Sequence, residues 1–265
     1  MLSDFIIDFE NVYASYDIEP VLEKVTLKIK SNEHWAILGA NGSGKSTLIK
    51  LFSGDLYPNS NYKFSKKIFG KDRWDIFELK KKLGIVTNDL HNIFAVNGSF
   101  LTAYEVVLSG YYSSVGVFKH HNVSGVQHEK VLEVLSFLEI SDIADKKVAH
   151  MSTGQLRRCI IGRALIHDPE AFILDEPTVG LDIKSQYSFI KVLRKLAKTA
   201  SIILVTHSLE EIFPEISHVA LMHNKTVFNQ GNKKNVLTSE NLSKIFGIKI
   251  DLQQENGRYY IKNIN

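Results

Sequence analysis

The sequence predicts an α/β fold: a wound, mainly parallel core sheet with an antiparallel β subdomain at its start and a helical subdomain inserted in the middle. Three observations predict it. Strand-like apolar runs alternate with amphipathic helical ones after Ser152, the pattern of strand–helix–strand units. The opening segments are β-rich, and the stretch from Leu101 to His150 carries helical periodicity with few strand signals.

The elements follow in order. "FIIDFENVYASY" and "VTLKIK" read as strands, and "HWAILG" as a buried strand that runs into a glycine-rich loop and a helix patterned from Leu48. In the middle, "TAYEVVLSGYY" and "HEKVLEVLSFLEISDIADK" have the helical period. A helix from Gln155, a strand "AFILDE", a helix "DIKSQYSFIKVLRKLAK", a strand "SIILVTH", a short helix and a final strand pair complete the core. In the tail, "LTSENLSKIFG" reads as a helix and "IDLQQENGRYYIKNI" as a hairpin turning on Asn256 and Gly257, with no function assigned.

Composition sets limits. With 265 residues and 44% hydrophobic content the chain can bury a sizeable core. The 32 basic and 29 acidic residues are interspersed, which argues against nucleic acid as a partner. The densest basic stretch, Lys63 to Arg73, reads as a solvated sheet edge. The single cysteine, Cys159, reads as a core residue on the face of a helix with Leu156, Ile160 and Ala164. His120, His121 and His128 read as solvated rather than as metal ligands. An acidic start in place of a basic leader region suggests a cytoplasmic protein. The apolar runs are shorter than the roughly 20 residues of a spanning helix, so a role at a membrane requires a partner.

The loop "GANGSGKST" carries the chemistry. Gly39, Gly44, Lys45 and Ser46 satisfy G-x-x-x-x-G-K-[ST] after a strand and before a helix. Glycines let backbone N–H groups turn toward phosphate oxygens, and the helix start adds further donors and a positive dipole end. The nucleotide-binding set is therefore Gly39, Ala40, Asn41, Gly42, Ser43, Gly44, Lys45, Ser46 and Thr47. In it Lys45 reaches the outer phosphates and Ser46 ligates Mg²⁺. This is a P-loop NTPase pattern. In "AFILDEP" a buried strand delivers two adjacent carboxylates: Asp175 to hold Mg²⁺ through water, Glu176 to polarise the attacking water.

These motifs, with "MSTGQLRR" between them and "VTHS" after them, resemble the ATP-binding subunits of ABC transporters over roughly Phe5 to Gly247. The resemblance implies a single ATPase domain. Its parts would be 1–87 (β subdomain and P-loop part of the core), 88–154 (helical subdomain), 155–245 (rest of the core) and 246–265 (hairpin appendage). Ser152, Thr153, Gly154 and Gln155 look like the family's LSGGQ signature, which acts in trans on ATP bound by a second copy. Ser152 can also cap the helix that follows. His207 matches the switch histidine at the γ-phosphate, and Asp182 a loop that communicates across the dimer. Tyr16 aligns with the aromatic that stacks on adenine, leaving Tyr13 to the core. Arg157, Arg158 and Arg163 are left undivided between structural and phosphate-proximal roles.

Two positions depart from the family pattern. Asn88 stands where the family usually has a glutamine that ligates Mg²⁺ and the attacking water, and it reaches one methylene less; Asp89 is the alternative. Ser31, Asn32 and Glu33 replace a glycine turn.

The resemblance implies ATP and Mg²⁺ as cofactors and a second ABC subunit, an identical copy, as partner. It also implies transmembrane permease subunits and, in importers, a substrate-binding protein, with a location on the cytoplasmic face of the membrane. The helical insert is similar to that of importers of metal chelates, cobalamin and oxoanions. The same chemistry would also serve a soluble ABC ATPase that drives assembly, for example of iron–sulfur clusters.

Overall fold

A computed structural model describes residues 4–117 and 122–264; His120 and His121 lie outside the described residues. The chain divides into two compact units, Met1–Ile76 with Ala197–Asn265, and Phe77–Leu196.

In chain order, β1 (Phe5–Ser15), β2 (Pro20–Lys30) and β3 (Trp35–Gly39) precede α1 (Lys45–Ser53) and β4 (Ser65–Ile68). Then come α2 (Ile76–Lys82), β5 (Leu83–Val86), α3 (Asn88–Asn97), α4 (Ala103–Leu108), α5 (Gly125–Phe137), α6 (Thr153–Leu165), β6 (Ala171–Asp175) and α7 (Ile183–Leu196). The chain closes with β7 (Ser201–Thr206), β8 (His218–His223), β9 (Thr226–Asn232), α8 (Lys233–Val236), α9 (Ser239–Phe246), β10 (Ile250–Glu255) and β11 (Arg258–Ile264). Among the described residues no helix is long and apolar enough to cross a membrane.

In the first unit β3 lies between two parallel neighbours, β7 (Leu38 opposite Thr206) and β8 (Gly39 opposite Met222), and β9 returns antiparallel to β8. All five residues of β3 and all six of β7 are buried. Such continuous apolar strands are what a sheet covered on both faces requires, each large side chain contributing about 1.5–3 kcal/mol. A separate antiparallel sheet runs β2-β1-β4. It packs on α1, with the rings of Phe9 and Phe52 centred 5.5 Å apart. Before β3 the turn is made by Asn32 at φ +65, its N–H donating to Ser201 Oγ at 2.9 Å, so asparagine does serve where the family has glycine.

The alternation of β1 corrects one expectation. Val12 and Ala14 face the core, which turns Tyr13 to the opposite side, half-buried and stacked on Tyr62 with centroids 3.9 Å apart. The same alternation in β4, an edge strand as expected, turns Lys66 inward with Ile68, its ammonium 5.5 Å from the Tyr57 ring centroid. The tail forms its helix and hairpin, with Asn256 and Gly257 both at positive φ, as a two-residue turn matched to strand twist demands.

In the second unit β5 and β6 pair in parallel, Val86 opposite Leu174. Around them α3, α4, α5 and α6 are each started by a hydroxyl side chain that accepts a first-turn N–H: Thr87, Thr102, Ser124 and Ser152. Helix begins at Asn88 itself, earlier than the apolar pattern suggests, because Thr87 Oγ1 accepts the Leu90 N–H at 3.2 Å. His128, on α5, accepts or donates at Nδ1 to the Tyr104 hydroxyl at 2.7 Å. Among the described residues no group of three His, Cys, Asp or Glu could hold a metal ion.

Candidate functional site: a phosphate cradle and a carboxylate edge

The loop from Gly39 to Gly44 leaves the C-terminal end of β3, the edge at which parallel sheets bind ligands. Gly42 and Gly44 sit at φ +78 and +102, conformations that glycine adopts without strain. A Cβ at Gly44 would also lie 2.5 Å from Leu22 Cδ2, so the loop is pinned against β2 as it turns into α1. Unlike α3, α4, α5 and α6, α1 has no side-chain cap, and its first turn carries no acidic residue. Its start is thus left with N–H donors and dipole for an anion.

The side chains fit that reading. Ser43 Oγ is buried without a hydrogen-bond partner, an orphaned polar atom of the kind that a ligand oxygen satisfies. Lys45 is buried and donates from Nζ to the carbonyls of Gly39 (2.8 Å) and Ala40 (3.1 Å), so its ammonium is held over the mouth of the loop. Asn41 and Ser46 are exposed, Ser46 on the first turn of α1; Thr47 is buried. Tyr16 is 52% exposed, its hydroxyl 3.4 Å from Thr47 Oγ1 and its ring under the Lys50 ammonium at 5.0 Å. The Thr47 hydrogen bond, more than the Lys50 charge, lowers the phenol pKa. His207 follows β7 one residue past the Leu38–Thr206 pair, level with the start of the glycine loop, and is exposed.

In the second unit, register assembles another group. Asn88 and Glu176 each lie two residues beyond the Val86–Leu174 pair, at the C-terminal ends of β5 and β6. Asp175 ends β6 half-buried, and Glu176 follows at φ +43, a left-handed conformation that costs a non-glycine residue about 1–3 kcal/mol. Asn88 Oδ1 accepts from Arg157 Nη2 at 2.9 Å, while Asp89 is exposed.

Ser152 and Gln155 form a reciprocal capping box at the start of α6, and Gln155 Oε1 also accepts from Lys146 Nζ at 3.0 Å. The expected capping by Ser152 is present. Thr153 is exposed and Gly154 half-buried. Asp182 Oδ1 accepts the Ser185 N–H at 2.7 Å, which makes it the cap of α7 and lowers its carboxyl pKa. Cys159 is fully buried, its thiol pushed up to about 12 by desolvation, so it is a core residue as read from the helix face.

The three arginines that the sequence left undivided separate here. Arg158 holds the end of α5 to α7 through Leu138 O (2.9 Å) and Ser188 Oγ. Arg163 donates to Ser109 Oγ at 3.2 Å, and burial lowers its guanidinium to about 10. Arg157, buried to 5% exposure, joins Asn88 to the backbone after β6. The sequence left its role undivided, although its helical spacing to the apolar Ile160 and Ile161 marks it as a cation on a buried stripe.

Comparison with known proteins identifies the family. Residues 22–179 match the family model described as ABC transporter. The ABC transporter ATP-binding protein YlmA of Bacillus subtilis is 30% identical over 265 residues, covering 97% of this chain and 96% of the relative. The zinc uptake system ATP-binding protein ZurA of Listeria innocua is 34% identical over 227 residues, covering 84% of this chain and 85% of the relative. The ATP-binding cassette MJ0796, solved as a dimer in a post-hydrolysis state with ADP and phosphate, is 26% identical with a TM-score of 0.69. That similarity covers 85% of this chain and 98% of the cassette. With a glycine cradle for phosphate, a carboxylate edge and a family match across more than half its length, the chain belongs to the ABC transporter family as an ATP-binding, ATP-hydrolysing subunit.

Proposed function

We propose that the chain is the motor of an importer: two copies close on two ATP molecules and drive permease subunits that form the membrane path. The observation that carries the nucleotide chemistry is the cradle itself, with an uncapped α1, glycines at positive φ and the buried Ser43 hydroxyl without a partner. Import rather than export is supported by the similarity to a zinc uptake system's ATP-binding protein.

In this reading Gly39 to Thr47 hold the phosphates, Lys45 the outermost ones, and Tyr16 offers a ring face to adenine. Ser46, Asp175 and Asn88 would hold Mg²⁺, directly or through water. The amide oxygen of Asn88 has two lone pairs, of which Arg157 takes one. When bound, Mg²⁺ neutralises charge on the phosphate oxygens. Glu176 accepts the proton of the attacking water, and His207 contacts the γ-phosphate and keeps water and carboxylate aligned.

Ser152 to Gln155 act on the nucleotide of the other copy. A Cβ at Gly154 would meet its own chain only at ordinary distances, 3.6 Å to Leu181 and 4.0 Å to Ser185. The glycine is thus not demanded by internal packing, which favours a contact from outside. Asp182, next to this helix start, communicates between the two copies. ATP bridges the copies while intact and releases them after cleavage, and that change is what the permease receives. The location follows as the cytoplasmic face of the membrane, with a substrate-binding protein delivering the cargo.

The test is recovery of tagged Glu176→Gln from detergent-solubilised membranes of its own cell with ATP present. Co-purification of a polytopic membrane protein is the expected result. Recovery of soluble partners alone would move the assignment to an ATPase that drives assembly.

A further inference from the structure

Arg157 touches both of the segments that follow β5 and β6. Its Nη1 donates to the carbonyl of Glu176 at 3.2 Å, and its Nη2 to the carbonyl of Val179 at 2.8 Å and to Asn88 Oδ1 at 2.9 Å. These bonds come from a rigid planar fork whose geometry a lysine cannot reproduce.

The partners matter because of what they fix. Glu176 sits at φ +43, a conformation that persists only where its surroundings hold it. Its carbonyl accepts from Arg157 and from the Val179 N–H at 3.2 Å, so the peptide plane that sets the direction of its side chain has two anchors. Asn88 is held at the same level of the strand pair by the same guanidinium. Arg157 in turn is carried by α6, whose first residues follow the Ser152–Gln155 capping box.

We infer that Arg157 is a positioning residue for hydrolysis: it clamps the strained backbone of Glu176 and the amide of Asn88, and ties both to the helix that begins at the signature. In this role it acts through Glu176 and Asn88. A shift of the α6 start, such as closure of a second copy would produce, reaches both groups through one side chain. The inference rests on Glu176 as the residue that activates water.

The experiment compares the full-length native chain with Arg157→Gln, Arg157→Lys and Glu176→Gln, using steady-state ATPase kinetics, ATP calorimetry and hydrogen exchange of the nucleotide-free protein. For Arg157→Gln the expected result is a kcat lower by about tenfold or more with ATP affinity within about threefold. Exchange at the Val179 amide should be about tenfold or more faster, since the carbonyl that it bonds has lost its other anchor. Arg157→Lys, which keeps the charge but not the fork, should recover part of kcat and part of the exchange protection.

A native kcat in folded Arg157→Gln overturns the inference. So does a kcat that falls only in step with ATP affinity and melting temperature, the mark of a merely structural role. If Arg157→Gln does not fold, Arg157→Lys carries the test: native kcat with native exchange overturns the inference, and a lowered kcat with faster Val179 exchange supports it. Glu176→Gln separates the two assignments. Native turnover in that variant removes the assigned role of Glu176, whereas an inactive Glu176→Gln beside a native Arg157→Gln removes the clamp alone.

Discussion

Ser152 Oγ accepts the backbone N–H of Gln155 at 3.3 Å, and Gln155 Oε1 accepts the backbone N–H of Ser152 at 3.0 Å. The two ends of the signature-like segment therefore satisfy each other's backbone within one chain, while the same segment is proposed to meet ATP on another. The roles can be divided by substitution. Ser152→Ala should lower stability by about 0.5–2 kcal/mol in denaturant unfolding, the cost of a lost cap. Ser152→Asp keeps a capping acceptor but places a carboxylate where a phosphate is to dock. Folding should be near native, and ATP-dependent pairing, read by light scattering in the Glu176→Gln background, should be lost. Persistent pairing would remove the segment from the nucleotide interface.

Lys45 offers a second separation. Its ammonium bonds the Gly39 and Ala40 carbonyls and so supports the loop as well as facing its mouth. Lys45→Ala is expected to abolish measurable ATP affinity in calorimetry. Near-native binding would sink the cradle assignment.

At Tyr16 the ring and the hydroxyl do different work. The hydroxyl bonds Thr47 and the ammonium of Lys50 lies over one face of the ring, so the stacking assignment depends on the ring alone. Tyr16→Ala should weaken ATP binding by about 1–3 kcal/mol, the value of an aromatic–base stack, and Tyr16→Phe should stay close to native. Equal losses in the two variants would assign the effect to the Thr47 contact instead.

Glu176→Gln removes the proposed acceptor of the water proton while keeping size and hydrogen-bonding capacity. Turnover should fall below detection, and saturating ATP should convert the chain to a dimer in light scattering because the closed state is no longer cleaved. Native turnover, or a monomer at saturating ATP, would count against Glu176 as the base or against pairing through ATP.

What could be read from the sequence was what is local. The Gly39–Ser46 pattern needs only its own residues, the Asn256–Gly257 turn is set by two positive φ angles, and Cys159 falls on an apolar helix stripe. Tyr13 was misplaced because β1 is irregular at Asn11, which sits at φ +52 where the pairing with β2 shifts, and the stretch that follows puts Val12 and Ala14 in the core and Tyr13 on the other side. The role of Arg157 stayed undivided because its partners are set by the parallel register of β5 and β6, which brings residues 88 and 176 level although no spacing along the chain announces it. Asp182 shows a use that pattern reading hides: the residue assigned by resemblance to communication caps α7 through Ser185.

The pH dependence of stability follows from histidines that burial keeps neutral. His34 Nδ1 accepts the Ile202 N–H at 3.1 Å, a bond that exists only while that nitrogen is unprotonated. Desolvation holds this imidazole below its ordinary value, with the Glu215 charge opposing, and it likewise lowers His91 and His167. As pH falls through about 6.5 the unfolded chain takes up these protons before the folded one does, so it binds more protons and folding free energy declines with acidification. Above that value both states carry neutral imidazole and the contribution is flat. His34→Asn keeps an acceptor near the Nδ1 position but cannot titrate. Its stability, measured by denaturant unfolding between pH 7.5 and 5.5, should fall less steeply than that of the native chain, His91 and His167 supplying what slope remains. An unchanged slope would mean that the imidazole of His34 is protonated as readily in the fold as in the unfolded chain, and that the Ile202 contact does not hold it neutral.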